Sequence, residues 1–119
     1  MIVYVYSKCS TCKDALKLLQ KLKVSPDIRE ITITPPSVNE LKTMLHFQND
    51  NLKKLFNTSG NLYREMQLAE KLSEMPLKNA LELLSSHGML VKRPFLLGTN
   101  FGLLGFNPKE WTSKLQSFL

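Results

Sequence analysis

Several absences narrow what this chain can be. Two cysteines in 119 residues cannot build the disulfide framework that staples small secreted domains. The two sit three positions apart, as Cys9 and Cys12, so their use is chemical, metal-binding or incidental. Histidine is as scarce. His46 and His87 lie far along the chain on separate predicted helices, and a structural zinc site needs about four ligands. No apolar run approaches the ~20 residues that cross a bilayer. The opening stretch Met1-Ile2-Val3-Tyr4-Val5-Tyr6 is too short for a secretory signal and lacks its leading positive charge. A cytoplasmic protein with no membrane partner is expected. No arginine-rich run or interleaved aromatic platform points to direct nucleic-acid binding. No linker, repeat or low-complexity segment divides the chain, and residues 1–119 are expected to form a single domain.

What is present is an ordinary globular composition, 43% apolar and 22% charged, and therefore a packed core. The net charge of +6 is unevenly placed: residues 1–24 hold five lysines and one aspartate, so much of the excess lies beside the cysteines. Ile2-Val3-Tyr4-Val5-Tyr6 reads as a buried strand. After it Ala15, Leu18, Leu19 and Leu22 recur at helical spacing, opposite Lys13, Lys17 and Lys21, with Cys9 or Ser10 at the cap. Ser25-Pro26 ends that helix, and residues 28–33 supply a second strand, stopped by Thr34-Pro35-Pro36. Such a strand–helix–strand unit favours a parallel pair.

A helical middle follows. Ser37 and Glu40 form a capping-box signature, with Val38, Leu41, Met44, Leu45 and Leu52 expected on one face. Residues 57–61 read as a loop, and a helical run reaches Leu72. Pro76 suits the first turn of another helix, with Leu77, Ala80, Leu81 and Leu84 inward and Gly88 at its end. Phe95-Leu96-Leu97 and Leu103-Leu104-Gly105-Phe106 flank a glycine-containing turn, as in an antiparallel hairpin. Asn107 caps a closing helix with Pro108 in its first turn, and Trp111, Leu115 and Phe118 share its buried face. The predicted class is α/β, a mixed sheet covered by helices.

The spacing Cys-x-x-Cys at a strand-to-helix junction lets two sulfurs meet across one helical turn. The exposed N–H groups of a helix start, with Lys8 and Lys13 nearby, favour a thiolate at Cys9. Cys12 would then resolve a mixed disulfide or sulfenic acid on Cys9. The plainer reading is a pair of unreactive thiols. Val91-Lys92-Arg93-Pro94 precedes the hairpin. Pro94 either simply starts a strand or forms a cis bond. Arg93 either covers surface or stands near Cys9, where its guanidinium could hold an oxyanion or stabilise the thiolate.

Across nearly all of its length the chain resembles the arsenate reductase/Spx family of thioredoxin-like proteins, which insert a helical segment into the thioredoxin fold. The resemblance rests on Tyr6-Ser7-Lys8-Cys9-Ser10-Thr11-Cys12, Thr34-Pro35-Pro36-Ser37, Leu55-Phe56-Asn57-Thr58-Ser59-Gly60, Lys92-Arg93-Pro94 and Gly105-Phe106-Asn107. It implies a thioredoxin-like mixed sheet of about four strands with a helical insertion. It also implies that Cys9 is the catalytic cysteine, that Arg93 is the arginine before the family's proline, and that Pro94 is that proline, typically cis. Lys8, Arg93 and Pro94 become candidate substrate-binding residues. No bound cofactor is expected; an external thiol reductant, thioredoxin or glutathione with glutaredoxin, would supply electrons.

Glutaredoxin-dependent arsenate reductases carry two further arginines around the oxyanion, at positions matched here by Asn57 and Phe106, so arsenate is expected to be a poor substrate. Spx-type regulators share the cysteine pair and bind the RNA polymerase α subunit. Their acidic, glycine-containing polymerase-facing stretch is replaced here by Asn51-Leu52-Lys53-Lys54, and no counterpart of their basic tail follows Leu119. A thiol–disulfide oxidoreductase is therefore the first expectation and a polymerase-binding redox regulator the second.

Overall fold

A computed structural model describes residues 1–117, and it is organised around one short, almost wholly buried strand. Strand β1 (Ile2–Val5) alternates across the sheet: Val3 and Val5 enter one core, and Tyr4 the other, as the period of two requires. β1 pairs in parallel with β2 (Asp27–Glu30) and antiparallel with β3 (Phe95–Leu97), which pairs antiparallel with β4 (Gly102–Leu104). The sheet order is β2-β1-β3-β4. This is the expected mixed four-stranded sheet, and the helices that cover both of its faces complete the thioredoxin-like architecture.

Helix α1 (Ser10–Lys21) connects β1 to β2. It buries Cys12, Ala15 and Leu19 against Val3, Val5, Leu96 and Leu103, together with Trp111 and Leu115 of α6 (Pro108–Gln116). Asn107 caps α6 by accepting the Glu110 N–H at 3.1 Å, and the Trp111 indole donates to the Gly105 carbonyl at 2.9 Å. Phe118, expected on the same face of α6, lies outside the described residues.

The opposite face is roofed by the segment between β2 and β3. It holds α2 (Val38–Phe47), α3 (Asn61–Glu65), α4 (Leu68–Lys71) and α5 (Leu77–Ser86), with 3-10 turns at Leu52–Leu55, Leu72–Glu74 and Gly88–Leu90. The predicted capping box is present. Ser37 Oγ accepts the Glu40 N–H at 3.1 Å and the Glu40 carboxylate accepts the Ser37 N–H at 2.9 Å. The same carboxylate accepts the Tyr4 hydroxyl at 2.7 Å, and Arg29 donates to that hydroxyl at 3.0 Å, tying α2 to β1 and β2. Burial and the bond to Glu40 push the Tyr4 phenol up to about 12.

Four details differ from the sequence expectations. β2 stops at Glu30 rather than running to residue 33, because the chain turns there: Ile33 and Thr34 donate back to the Glu30 carbonyl, leaving Ile31 buried and Ile33 80% exposed. Leu77 is exposed, since it is the first residue of α5, while Ala80, Leu81 and Leu84 point inward. Leu52 belongs to a separate turn because α2 ends at Phe47. In the hairpin Gly102 starts β4, and Gly105, at φ +68°, lies beyond it.

Candidate functional site

The cysteine pair sits where β1 gives way to α1. The turn between them is closed by the Cys9 N–H donating to the Tyr6 carbonyl at 2.9 Å and by Glu30 accepting the Ser7 N–H at 2.9 Å. Cys9 occupies the N-cap of α1 with no side-chain cap bond, so its sulfur is free to face outward, and Cys12 lies one turn further in.

The two thiols differ sharply. Cys12 is 1% exposed. Burial pushes its thiol up to about 12, the neighbouring Cys9 adds to the rise, and the Tyr6 N–H pointing at its sulfur from 3.5 Å only partly offsets it. Cys9 is half-buried. Desolvation works to raise it too, but contacts with the Thr11 hydroxyl and with the thiol and backbone N–H of Cys12, together with the Arg93 charge, outweigh that and leave it below the ordinary value. The Cys9 sulfur and Thr11 Oγ1 are 3.0 Å apart. Opposed shifts in adjacent thiols are the arrangement in which one serves as nucleophile and the other stays protonated until called on.

Arg93 comes to this site from the far end of the chain. Its guanidinium carbon lies 5.0 Å from the centre of the Tyr6 ring, an attractive cation–π geometry. Nη1 reaches toward the Met89 carbonyl at 3.4 Å, and among the described residues the buried Nε has no hydrogen-bond partner. The Arg93–Pro94 bond is cis, as the resemblance implied, and Pro94 is buried. A cleft of about 560 Å³ beside Arg93 is lined also by Asn57, Gly60, Glu65 and Met89.

The structure thus brings Cys9, Cys12 and Arg93 together. Lys8 is exposed on the preceding turn, and the charge that lowers Cys9 comes from Arg93. Asn57 packs against Gly60, where an added Cβ would lie 2.7 Å from the Asn57 amide nitrogen. Phe106 stacks edge-on against Trp111 with ring centres 5.2 Å apart. His46 and His87 are exposed near the ends of α2 and α5, and no metal-ligand cluster exists among the described residues. Thr11 and Tyr6 are the participants that sequence reasoning missed. Thr11 carried a usable signal, a hydroxyl two residues past a helix cap; Tyr6, the residue after β1, carried none beyond its place at the head of the cysteine motif.

A cysteine pair at a strand-to-helix turn, an adjacent cis-proline and a helical segment inserted into a thioredoxin-like sheet define the class as thioredoxin-like proteins of the arsenate reductase type. The chain belongs to the ArsC family, whose profile matches residues 4–113. It is 44% identical to YusI of Bacillus subtilis over 110 residues, which cover 91% of this chain and 92% of YusI. The global transcriptional regulator Spx of Enterococcus faecalis is 26% identical over 92% of this chain and 82% of its own length. The crystal structure of a protein described as a possible arsenate reductase, from Streptococcus mutans UA159, superposes with a TM-score of 0.84 at 36% identity, covering 93% of this chain and 96% of that one. No described helix is long and apolar enough to cross a membrane.

Proposed function

We propose that this chain is a thiol–disulfide oxidoreductase in which Cys9 attacks and Cys12 resolves. The observation that carries the reading is the divergence of the two thiols, Cys9 lowered and reachable, Cys12 buried and raised to about 12. The Cys9 thiolate attacks one sulfur of a substrate disulfide, and the other sulfur leaves as a thiolate that takes a proton from water. The Cys9 mixed disulfide no longer carries negative charge, which removes one of the influences that holds Cys12 protonated. Cys12 then loses its proton and attacks the Cys9 sulfur, releasing the second substrate thiolate and closing a Cys9–Cys12 disulfide. An external dithiol or two glutathione molecules return the two electrons.

Arsenate fits this site poorly. Asn57 and Phe106 stand where the family resemblance places arginines, and their side chains rest on Gly60 and Trp111, leaving Arg93 as the guanidinium beside Cys9. A charge-assisted contact contributes about 1.5–3 kcal/mol, so two missing ones lower oxyanion stabilisation by several powers of ten, non-additivity aside. A disulfide has no dianion to hold and needs neither.

The test compares turnover of hydroxyethyl disulfide and of arsenate with the same reductant. Disulfide reduction is expected to exceed arsenate reduction and to be abolished in Cys9→Ser, while Cys12→Ser accumulates a mixed disulfide visible by mass. Efficient arsenate turnover, or full disulfide turnover by Cys9→Ser, would overturn the proposal. The Spx relatives support a second reading, a redox regulator that docks on the RNA polymerase α subunit. Co-purification with polymerase that depends on the redox state of Cys9, without disulfide turnover, is the result that would favour it.

A further inference from the structure

Two short extended segments, joined by a bridge between Phe56 and Val91 and by the Lys92 N–H donating to the Leu55 carbonyl at 2.8 Å, form a wall with two sides. Asn57, Ser59 and Arg93 line the cleft beside Arg93 described above. Phe56, Thr58 and Lys92 line another, of about 430 Å³, on the side of β4. The second cleft is therefore lined by residues that the cysteine site does not use.

This second cleft is cationic. Lys53 and Lys54, from the turn after α2, converge on it with Lys92, against the single carboxylate of Glu110. Among the described residues the ion pairs are those of Arg29 with Asp27 and Glu40, so none of the three lysines has an acidic partner. Lys92 is held in place: its stem crosses Gly105, where an added Cβ would lie 3.1 Å from Lys92 Cε. Leu104 gives the cleft an apolar surface, and the Thr58 hydroxyl stands beside it. Three ammonium groups beside one carboxylate leave a positive excess in the cleft, and a bound anion offsets it.

We propose that this cleft binds a small organic phosphate. Its volume falls in the range of small-molecule sites, roughly 300–1,000 Å³. The phosphate sits among Lys53, Lys54 and Lys92 and accepts from Thr58; the organic body lies on Leu104 and offers a hydroxyl or amino donor to Glu110. Point-charge ammonium groups on flexible stems suit a phosphate without demanding bidentate geometry.

The probe is adenosine 5′-monophosphate, titrated into the full chain and followed by amide chemical shifts and calorimetry, with inorganic phosphate and a hexaglutamate peptide in parallel. Shift changes are expected at Thr58, Lys92 and Leu104. Affinity is expected to fall about ten-fold in Lys92→Met, which removes one charge-assisted contact, and about a hundred-fold in the double variant Lys53→Gln/Lys54→Gln, which removes two, and to weaken with added salt. Inorganic phosphate should bind more weakly than the nucleotide because it leaves Leu104 and Glu110 uncovered. All three substituted positions lie on exposed or half-exposed surface, and a thermal melt of each variant verifies its fold. Absence of shifts at the cleft, binding indifferent to the lysine substitutions, or tighter binding of hexaglutamate than of the nucleotide would each overturn the proposal, the last by making the cleft a docking surface for acidic protein segments.

Discussion

One face of the sheet is covered by two regular helices, the other by a segment broken into short pieces, and the two coverings are held in different ways. On the first face α1 and α6 place Cys12, Ala15, Leu19, Trp111 and Leu115 by helical periodicity, with the Trp111 indole also bonded to the Gly105 carbonyl. On the second face the pieces between α2 and β3 are positioned by backbone bonds reaching across the chain. The Asn57 N–H donates to the Leu90 carbonyl at 2.7 Å, and the Lys92 N–H to that of Leu55. Gly88 is pressed so tightly onto the end of β2 that an added Cβ would lie 2.0 Å from the Ile31 carbonyl oxygen. At Gly88 the broken face therefore meets backbone, which cannot yield as a side chain can. Cys9 packs on the helical face.

Substitutions can break this contrast. The largest effect is expected for Gly88→Ala, whose methyl meets backbone that cannot move aside. The loss should be on the order of 5 kcal/mol, in the range reserved for severe core disruptions, and urea denaturation measures it. Trp111→Ala on the other face removes the largest fully buried side chain and should cost about 3–5 kcal/mol. It should also let Cys12 react with iodoacetamide under native conditions, because both residues share one core.

The pH dependence sharpens the comparison within the site itself. Cys12 has a folded pKa near 12, above the ~8.5 of an unfolded cysteine. Its contribution to stability is therefore complete below about pH 8.5 and is lost as pH rises toward 12, amounting to about 2 kcal/mol by pH 10. Cys12→Ala should show a correspondingly shallower decline in unfolding free energy between pH 7 and pH 10. Cys9, being lowered, should alkylate with an apparent pKa below that of a free thiol and well below that of Cys12. The smallest effect is expected for Ser37→Ala, which removes one half of the capping box at the start of α2 and should cost about 1 kcal/mol by thermal or urea unfolding.

The two coverings also differ in how legible they are in the sequence. α1, α6, the hairpin and the capping box of α2 all announce themselves through a periodic apolar face with a recognisable start or stop. The same holds for the site: Cys9 and Cys12 follow from spacing and context, and Arg93 and Pro94 from the family resemblance. The broken segment is less legible, because its pieces of four or five residues, Leu68–Lys71 and Asn61–Glu65, are too short for a helical period to show. Ile33 looked like a strand residue because β-branched residues favour sheets, yet the turn at Glu30 overrode that preference. Thr11, a hydroxyl two residues past the cap, could have been read as a partner of Cys9, but the contact depends on the sulfur being left uncapped.

The wall built from residues 56–59, 92 and 93 couples two clefts through one short length of chain. Phe56, Thr58 and Lys92 line one cleft while Asn57, Ser59 and Arg93 line the other, so a single insertion or deletion between Phe56 and Gly60 would disturb both linings. The change would reach both clefts in one event. A substitution at Asn57 or Lys92 acts on one cleft, whereas a change of length acts on both.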